Sequence, residues 1–535
     1  MSELRPRRMK FWGWGFEGEG ATPEEKKLVL GLARHRYGID AAEAPAPREE
    51  EFDLPKPRIA PPASLASLCS SARIDRLAHA CGKSFPDAAR IAARRIDAAP
   101  DLVAYPRNEA DVAALLDWAA SARIAVVPYG GGSSVVGGVE PQVGAGFAGA
   151  LSIDLGLLDK VLEVDPTSRA ARIQAGVLGP ALEAQLAPHG LTLRHFPQSF
   201  QYSSLGGWIA TRSGGHFATL GTHIDDFVET ARMLTPKGAM QARRLPGGGA
   251  GPDPNRLVIG SEGALGIVTE AWMRLQAKPR FRAGTSAHFA DFDKAVGAVR
   301  AIVQAGLWPA NLRLLDRNEA RNTLAGDGSA DVLVLAFESA DHDQMPKMRR
   351  ALECVGDFGG RWDERQLAAG QGGHREGASG AWRNAFLRAP FFREITTPLG
   401  IIVDTFETSI TWERFFDFHA KVKAATEAAL KRATGNEGSV TCRFTHVYPD
   451  GPAPYFTFMV KGDKTRLVEQ WREIKVVASD ALAAAGGTIT HHHAVGRDHM
   501  PWYRKEIPAL YGAALAAAKR VVDPAGVMNP GVLVG

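Results

Sequence analysis

Cysteine is scarce in this 535-residue chain: Cys69, Cys81, Cys354 and Cys442 are all it has, and no two form a CxxC pair. That argues against a disulfide framework and a cysteine zinc site, so the four thiols are expected to be reduced and mostly buried. No run of about 18 apolar residues occurs, and the opening residues lack an apolar core, so neither a spanning helix nor a secretory signal is expected. Charge of one sign is also in short supply. The 63 basic residues exceed the 59 acidic ones by four, without the basic stripe of a nucleic-acid binder. Nucleic acid is therefore not an expected partner, and the expected location is the cytoplasm. What is present is ordinary globular composition, 45% hydrophobic and 23% charged, in a chain too long for a single core, so two or more domains are expected.

The first segment mixes Arg5, Arg7, Arg8 and Lys10 with Phe11, Trp12, Trp14 and Phe16. Two readings stay open: a face resting on an anionic membrane surface, or an aromatic flap packed on the body. Residues 41–63 carry six prolines and an acidic run at 49–51, the texture of an extended linker. From about residue 96 short β-runs alternate with Ala-rich helices, an α+β pattern. Helices are predicted at 108–123, 179–188, 291–305, 412–432 and 463–485, and strands at 124–127, 150–154, 171–175, 266–275, 311–315, 332–338, 440–448 and 455–460.

Directly after the strand at 124–127 come Pro128, Tyr129, Gly130, Gly131, Gly132, Ser133 and Ser134. Glycines there let successive N–H groups turn toward one anion. No Gly-Lys-Ser/Thr follows and Val135 holds the last glycine position, so this is neither a Walker loop nor GxGxxG. Alone, it is equally a plain tight turn. Two later segments change that: Gln198, Ser199, Ser203, Ser204, Gly206 and Gly207 running on to Thr211, Arg212, Ser213 and Gly214, and then Glu262, Gly263, Ala264, Leu265, Gly266, Ile267 and Val268 entering a strand. Their order and spacing over 96–280 resemble the flavin domain of the vanillyl-alcohol oxidase and p-cresol methylhydroxylase family. The resemblance implies FAD, with the first loop around the pyrophosphate, the second along pyrophosphate and isoalloxazine, and the third toward the adenine. It also implies an α+β fold: a two-subdomain FAD-binding domain plus an α+β cap domain with an antiparallel sheet. The first loop offers no histidine tether, and His216 and His223 do not stand at recognised tether positions, so the FAD is expected to be non-covalent.

His491, His492 and His493 follow a Gly-Gly pair and a β-branched step, predicting a strand end with His491 and His493 on one face and His492 on the other. Three readings arise: a metal site, an anion-binding or acid–base cluster, and a structural role. The second is favoured and no metal is assigned. Here the resemblance sharpens to the alkyldihydroxyacetone-phosphate synthase family. Lys10-Phe11-Trp12-Gly13-Trp14-Gly15-Phe16 is similar to that family's Lys-Trp-Asn-Gly-Trp-Gly-Tyr, and the triple histidine with Ala494-Val495-Gly496-Arg497 to its His-His-His-Gly-Val-Gly-Lys. Also similar are 312–316, 391–394, 406–409, 441–443 and 455–458.

The resemblance implies a flavin enzyme without net redox change, exchanging the acyl group of acyl-dihydroxyacetone phosphate for a long-chain fatty alcohol through flavin N5. It makes Tyr455 the proton acceptor and donor, Arg393 the substrate-binding arginine, Arg313 an arginine required for activity, and His491–His493 the holders of phosphate or supporters of Tyr455. A phenol whose ordinary pKa is near 10 needs nearby positive charge for such a role. Taken singly, Tyr455 is by default a core aromatic and each arginine a surface charge. The implied division is 1–95 as an N-terminal segment, 96–280 for FAD, 281–500 as cap and 501–535 returning to the FAD domain. A homodimer and peripheral contact at the inner membrane surface are further expectations. Two stretches depart from the pattern. Residues 317–390, Gly-rich at 370–380, match nothing recognised and are a candidate wall of the substrate cavity. Asp523–Gly531 looks more like the FAD-dependent 2-hydroxy-acid dehydrogenases, the D-lactate and glycolate group, which is the alternative. That group needs His-x-Gly-Asp-Gly-Asn-x-His and Glu-His-Gly-x-Gly for its metal. Here His446–Gly451 breaks the first motif, Tyr455 stands near its second histidine, and His492 replaces the glutamate. A flavin-binding module without activity is a third reading.

Overall fold

The computed structural model describes residues 6–369 and 377–534; Arg5 and residues 370–376 of the glycine-rich stretch lie outside the described residues. The architecture is α+β, built on three main sheets. The first has the order Cys69–Ser70, Leu102–Ala104, Gly149–Asp154, Ile124–Tyr129, and its last three strands run parallel. Apart from a half-exposed Pro128, the strand residues from 102 to 154 are buried, as expected of a parallel sheet covered on both faces. Pro128 has no N–H to give and sits on the strand nearest the edge, where proline is tolerated. Beside that strand the chain end returns: Val126 donates to Val527 O and Asn529 donates to Val126 O, both at 2.8 Å.

The second sheet is antiparallel, Val161–Asp165, Ala170–Gln174, Ile267–Arg274, Val228–Thr235, Gly238–Gln241. The third has seven antiparallel strands in the order Arg361–Trp362, Phe281–Phe289, Asp331–Ser339, Asn311–Leu315, Ser439–Tyr448, Gly451–Lys461, Ile401–Glu407. Leu312, Leu314, Cys442, Phe444, Phe456 and Phe458 project from one face of it into a core shared with residues of the helices Phe292–Gln304, Met345–Asp357, Phe415–Thr434 and Leu467–Ala484. Period-2 alternation leaves Arg313, Arg443 and Tyr455 for the opposite face.

The predicted elements are found with shifted ends. Helix Glu109–Ala122 is bounded by Asn108, whose side chain accepts from Asp111 N, and by Arg123 in a left-handed conformation; the 108–123 estimate had included both caps. The strand expected at 455–460 begins earlier, at Gly451, because Tyr448 and Gly451 pair across a two-residue turn. One expectation fails. No strand covers 488–498, so His491–His493 do not alternate between faces. Their backbone N–H groups converge instead on the Glu407 carboxylate, which strand geometry forbids.

The opening aromatics prove to be a packed flap. Met9, Phe11, Trp14 and Phe16 are buried, as is Lys10, whose Nζ donates to Glu19 O at 2.7 Å and meets Glu394 at 3.2 Å. The cysteines are free, three of them buried. Among the described residues no helix is long and apolar enough to cross a membrane.

Candidate active site

The three glycine loops lock onto one another. A Cβ on Gly131 would lie 1.7 Å from Tyr202 O, and one on Gly263 would lie 2.8 Å from the Pro128 ring, so the loops pack too closely for a side chain at either position. They line one cleft: Pro128, Tyr129, Gly130, Gly131, Gly132, Ser133 and Ser134 from the first, Gln198, Ser199, Ser203, Ser204, Gly206, Gly207, Thr211, Ser213 and Gly214 from the second, and Glu262, Gly263, Gly266, Ile267 and Val268 from the third. Of the expected flavin residues, Ala264 and Leu265 of the third loop are buried away from the cleft, and Arg212 pairs with Asp225 at 2.9 Å on a neighbouring cleft. A long cradle of bare backbone and hydroxyls suits a pyrophosphate joined to a flat ring system, so the residues fit FAD.

The cap sheet faces this cleft with a row of polar side chains. Leu315 pairs with Arg443, Arg443 with Tyr455, and Tyr455 with Glu407, so these residues share one face, and Arg313 joins them two residues before Leu315. A bulge between Phe444 and His446 brings both Thr445 and His446 to the cleft. Arg313, Arg443, Tyr455, His492 and His493 line it as well, with Phe386 and Pro390 from the stretch that matched no pattern. The second glycine loop touches the histidine loop, since a Gly214 Cβ would stand 2.8 Å from His492 Cβ.

The Tyr455 hydroxyl donates to Thr405 Oγ1 at 3.0 Å, and the Arg443 guanidinium lies 3.9 Å from the centre of its ring. Arg443 is itself paired with buried Glu319. The positive charge required beside Tyr455 is thus present. Burial nevertheless outweighs it and raises the phenol above its ordinary value, so Tyr455 rests protonated, as a proton donor. Arg313 donates to His216 O at 2.8 Å and lies 4.3 Å over Trp382; burial, with Arg443 second, pushes it down to about 9.

The Tyr455 ring is 6.0 Å from His492 and 5.5 Å from His493. Burial pushes His492 down to about 3 and His493 to about 4, and holds His446 and His491 well below the usual imidazole range. All four are neutral at pH 7, able both to donate and to accept. Ligating nitrogens of His446, His491 and His492 lie within 4.8 Å of one another. They already have protein partners: His446 Nε2 faces Gly215 O at 3.1 Å, His491 Nε2 faces Tyr448 OH at 2.8 Å, and the Nδ1 atoms of His491 and His492 face each other at 3.0 Å. A metal ion would have to displace these contacts.

Two expected site residues stand apart from this cleft: His491 borders the neighbouring one that holds Arg212, and the other is Arg393. It bonds Lys83 O at 2.8 Å and Asp404 at 2.9 Å and borders a second cleft beside Lys10–Trp14, whose Trp14 also lines the first. Arg443 and Glu407 stand in the similar segments 441–443 and 406–409, and the resemblance implies no role for either. Their signal was a charged residue in an otherwise apolar strand, as in Thr441-Cys442-Arg443-Phe444.

An FAD binding domain family matches residues 100–242, and the family described as FAD linked oxidases, C-terminal domain, matches 278–533. The solved structure of p-cresol methylhydroxylase with substrate bound superposes with a TM-score of 0.68 at 14% identity, over 96% of this chain and 98% of that one. Fold and matches together define an FAD-dependent enzyme, with FAD as its cofactor, on a fold shared with p-cresol methylhydroxylase. A solved alkyldihydroxyacetonephosphate synthase superposes with a TM-score of 0.79 at 24% identity, over 98% of this chain and 97% of that one. The alkyldihydroxyacetonephosphate synthase of Dictyostelium discoideum is 30% identical over 482 residues, 86% of this chain and 78% of that protein. This chain belongs to the alkyldihydroxyacetonephosphate synthase family.

Proposed function

We propose that the protein exchanges the acyl group of acyl-dihydroxyacetone phosphate for a long-chain alcohol without net redox change, as a step of ether-lipid synthesis. One observation carries the reading. The cap groups lining the cleft are cationic or neutral donors, Arg313, Arg443, Tyr455, His446, His492 and His493, a set suited to a phosphorylated substrate. The dehydrogenase alternative needs a metal-binding carboxylate where His492 stands.

Residues 96–280 with the returning tail 501–535 would hold FAD non-covalently, while 281–500 present the substrate groups. When bound, FAD supplies at N5 a point of covalent attachment for the dihydroxyacetone-phosphate carbon. Arg313 and Arg443 counter the phosphate charge, and the neutral histidines donate to its oxygens. Protonated Tyr455 gives a proton to the departing carboxylate and takes one from the incoming alcohol, steps that general acid–base groups accelerate by roughly 10²–10⁴-fold. Arg393, which borders the adjoining cleft and is paired with Asp404, has no part in these steps.

The test is the anaerobic flavin spectrum with palmitoyl-dihydroxyacetone phosphate and, separately, with D-lactate. Exchange predicts loss of the oxidised band with the first, restored by fatty alcohol. Lasting reduction by D-lactate would overturn it.

A further inference from the structure

Glu407 ends the strand Ile401–Glu407, behind the histidine loop, and is 2% exposed. Its Oε1 accepts from Thr490 Oγ1 at 2.6 Å and His493 N at 2.9 Å, its Oε2 from His491 N at 2.5 Å, and His492 N lies 3.2 Å from both. Three consecutive backbone N–H groups and a hydroxyl thus converge on one carboxylate. The other end of the loop is held the same way. Glu262, from the third flavin loop, accepts from Val495 N at 2.8 Å and Gly496 N at 2.7 Å. Between the two anchors Ala494 has a φ of 73°, a left-handed conformation that a non-glycine residue keeps only when its surroundings impose it.

We propose that Glu407 is the positioning residue of this active site: it fixes His491–His493 in register with the flavin loops, with Glu262 anchoring the far end of the same segment. The inference rests on the reading of the histidines as substrate-holding groups. The row Arg443–Tyr455–Glu407 places the anchor one strand from the phenol, so a single rigid sheet sets the distance between Tyr455 and the histidines. A neutral amide in place of Glu407 would turn an N–H₂ toward N–H donors and leave some of them unpaired. The loop would then shift, and a displacement of about 1 Å at an active site costs on the order of 10²-fold.

The experiment uses the FAD-loaded protein labelled with ¹⁵N-histidine, as parent, Glu407→Gln, Glu407→Asp and Thr490→Val. It reads FAD content, the backbone amide resonances of His491–His493, the affinity for glycerol 3-phosphate, and kcat and KM of exchange. In Glu407→Gln the expected results are retained FAD, upfield movement of the three amide resonances, roughly tenfold weaker glycerol 3-phosphate binding and a roughly 10²-fold fall in kcat. Glu407→Asp, which keeps the charge on a shorter arm, recovers part of each. Thr490→Val keeps Glu407 but removes one donor; it gives a smaller change in the same direction and carries the test if Glu407→Gln does not fold. Unmoved amide resonances with kcat within threefold of the parent would overturn the proposal, as would loss of FAD equal to the loss of kcat. The resonances and the phosphate-probe affinity do not depend on which reaction runs. Shifted values in a protein whose parent catalyses no exchange would sink the exchange reading and leave Glu407 in place.

Discussion

In the proposed exchange the chemistry concentrates at Tyr455. Its hydroxyl sits on Thr405, a guanidinium lies over its ring, and two imidazoles flank it, yet burial keeps the phenol protonated. Tyr455→Phe removes the phenolic proton while preserving the ring packing. The expected outcome is a roughly 10²–10⁴-fold loss of exchange with FAD stoichiometry and melting temperature near those of the parent; rates with saturating alcohol and the flavin absorbance of the purified variant check it. The phenol's importance was visible only through its company in the sequence, since one tyrosine in an apolar strand has no distinguishing pattern. Arg443 carries even less of a local pattern. Its value comes from cross-strand register with Tyr455 and from compensation by Glu319, 124 residues away, and local sequence encodes neither.

Among the elements, those with strong periodicity were readable to within a few residues, and the histidine loop was not. A β-branched step after Gly486-Gly487 suggested a strand, but the loop's shape is set by Glu407 and Glu262, distant carboxylates that no local propensity reports. The loop's electrostatics carry a pH signature. His492 and His493 hold their protons far more weakly when folded, about 3 and 4, than the ordinary 6.5, so the unfolded chain binds more protons between those limits. Stability is therefore fully present above about pH 6.5 and is lost as pH falls toward 4, by about 1.4 kcal/mol for each unit of displacement. Melting temperatures between pH 7 and 4.5 are expected to fall steadily, and less steeply in His493→Gln. An unchanged slope in that variant would mean that its imidazole is already charged in the folded protein.

On the scale of the whole molecule, two cores meet at one cleft. One is built on the flavin loops and the returning tail, the other on a seven-stranded sheet with helices on its far face. The glycine spacing made the first half legible, because loops pressed this closely together leave no room for a Cβ at those positions. The second half was legible as strands and helices, but which sheet face bore function depended on register and on a bulge at Phe444–His446. The opening aromatic segment could be read two ways, and its side chains are buried against Glu394, Tyr202 and Phe391, so it forms part of the wall between the two clefts. In the proposed exchange this assembly replaces acyl by alkyl with no electron leaving the protein. The most direct measurement is mass spectrometry of the products from palmitoyl-dihydroxyacetone phosphate and hexadecanol, incubated with the FAD-loaded protein under argon without an electron acceptor. The account predicts hexadecyl-dihydroxyacetone phosphate and palmitate in equal amounts over many turnovers. No ether product under argon, together with acceptor-dependent oxidation of a 2-hydroxy acid, would contradict it.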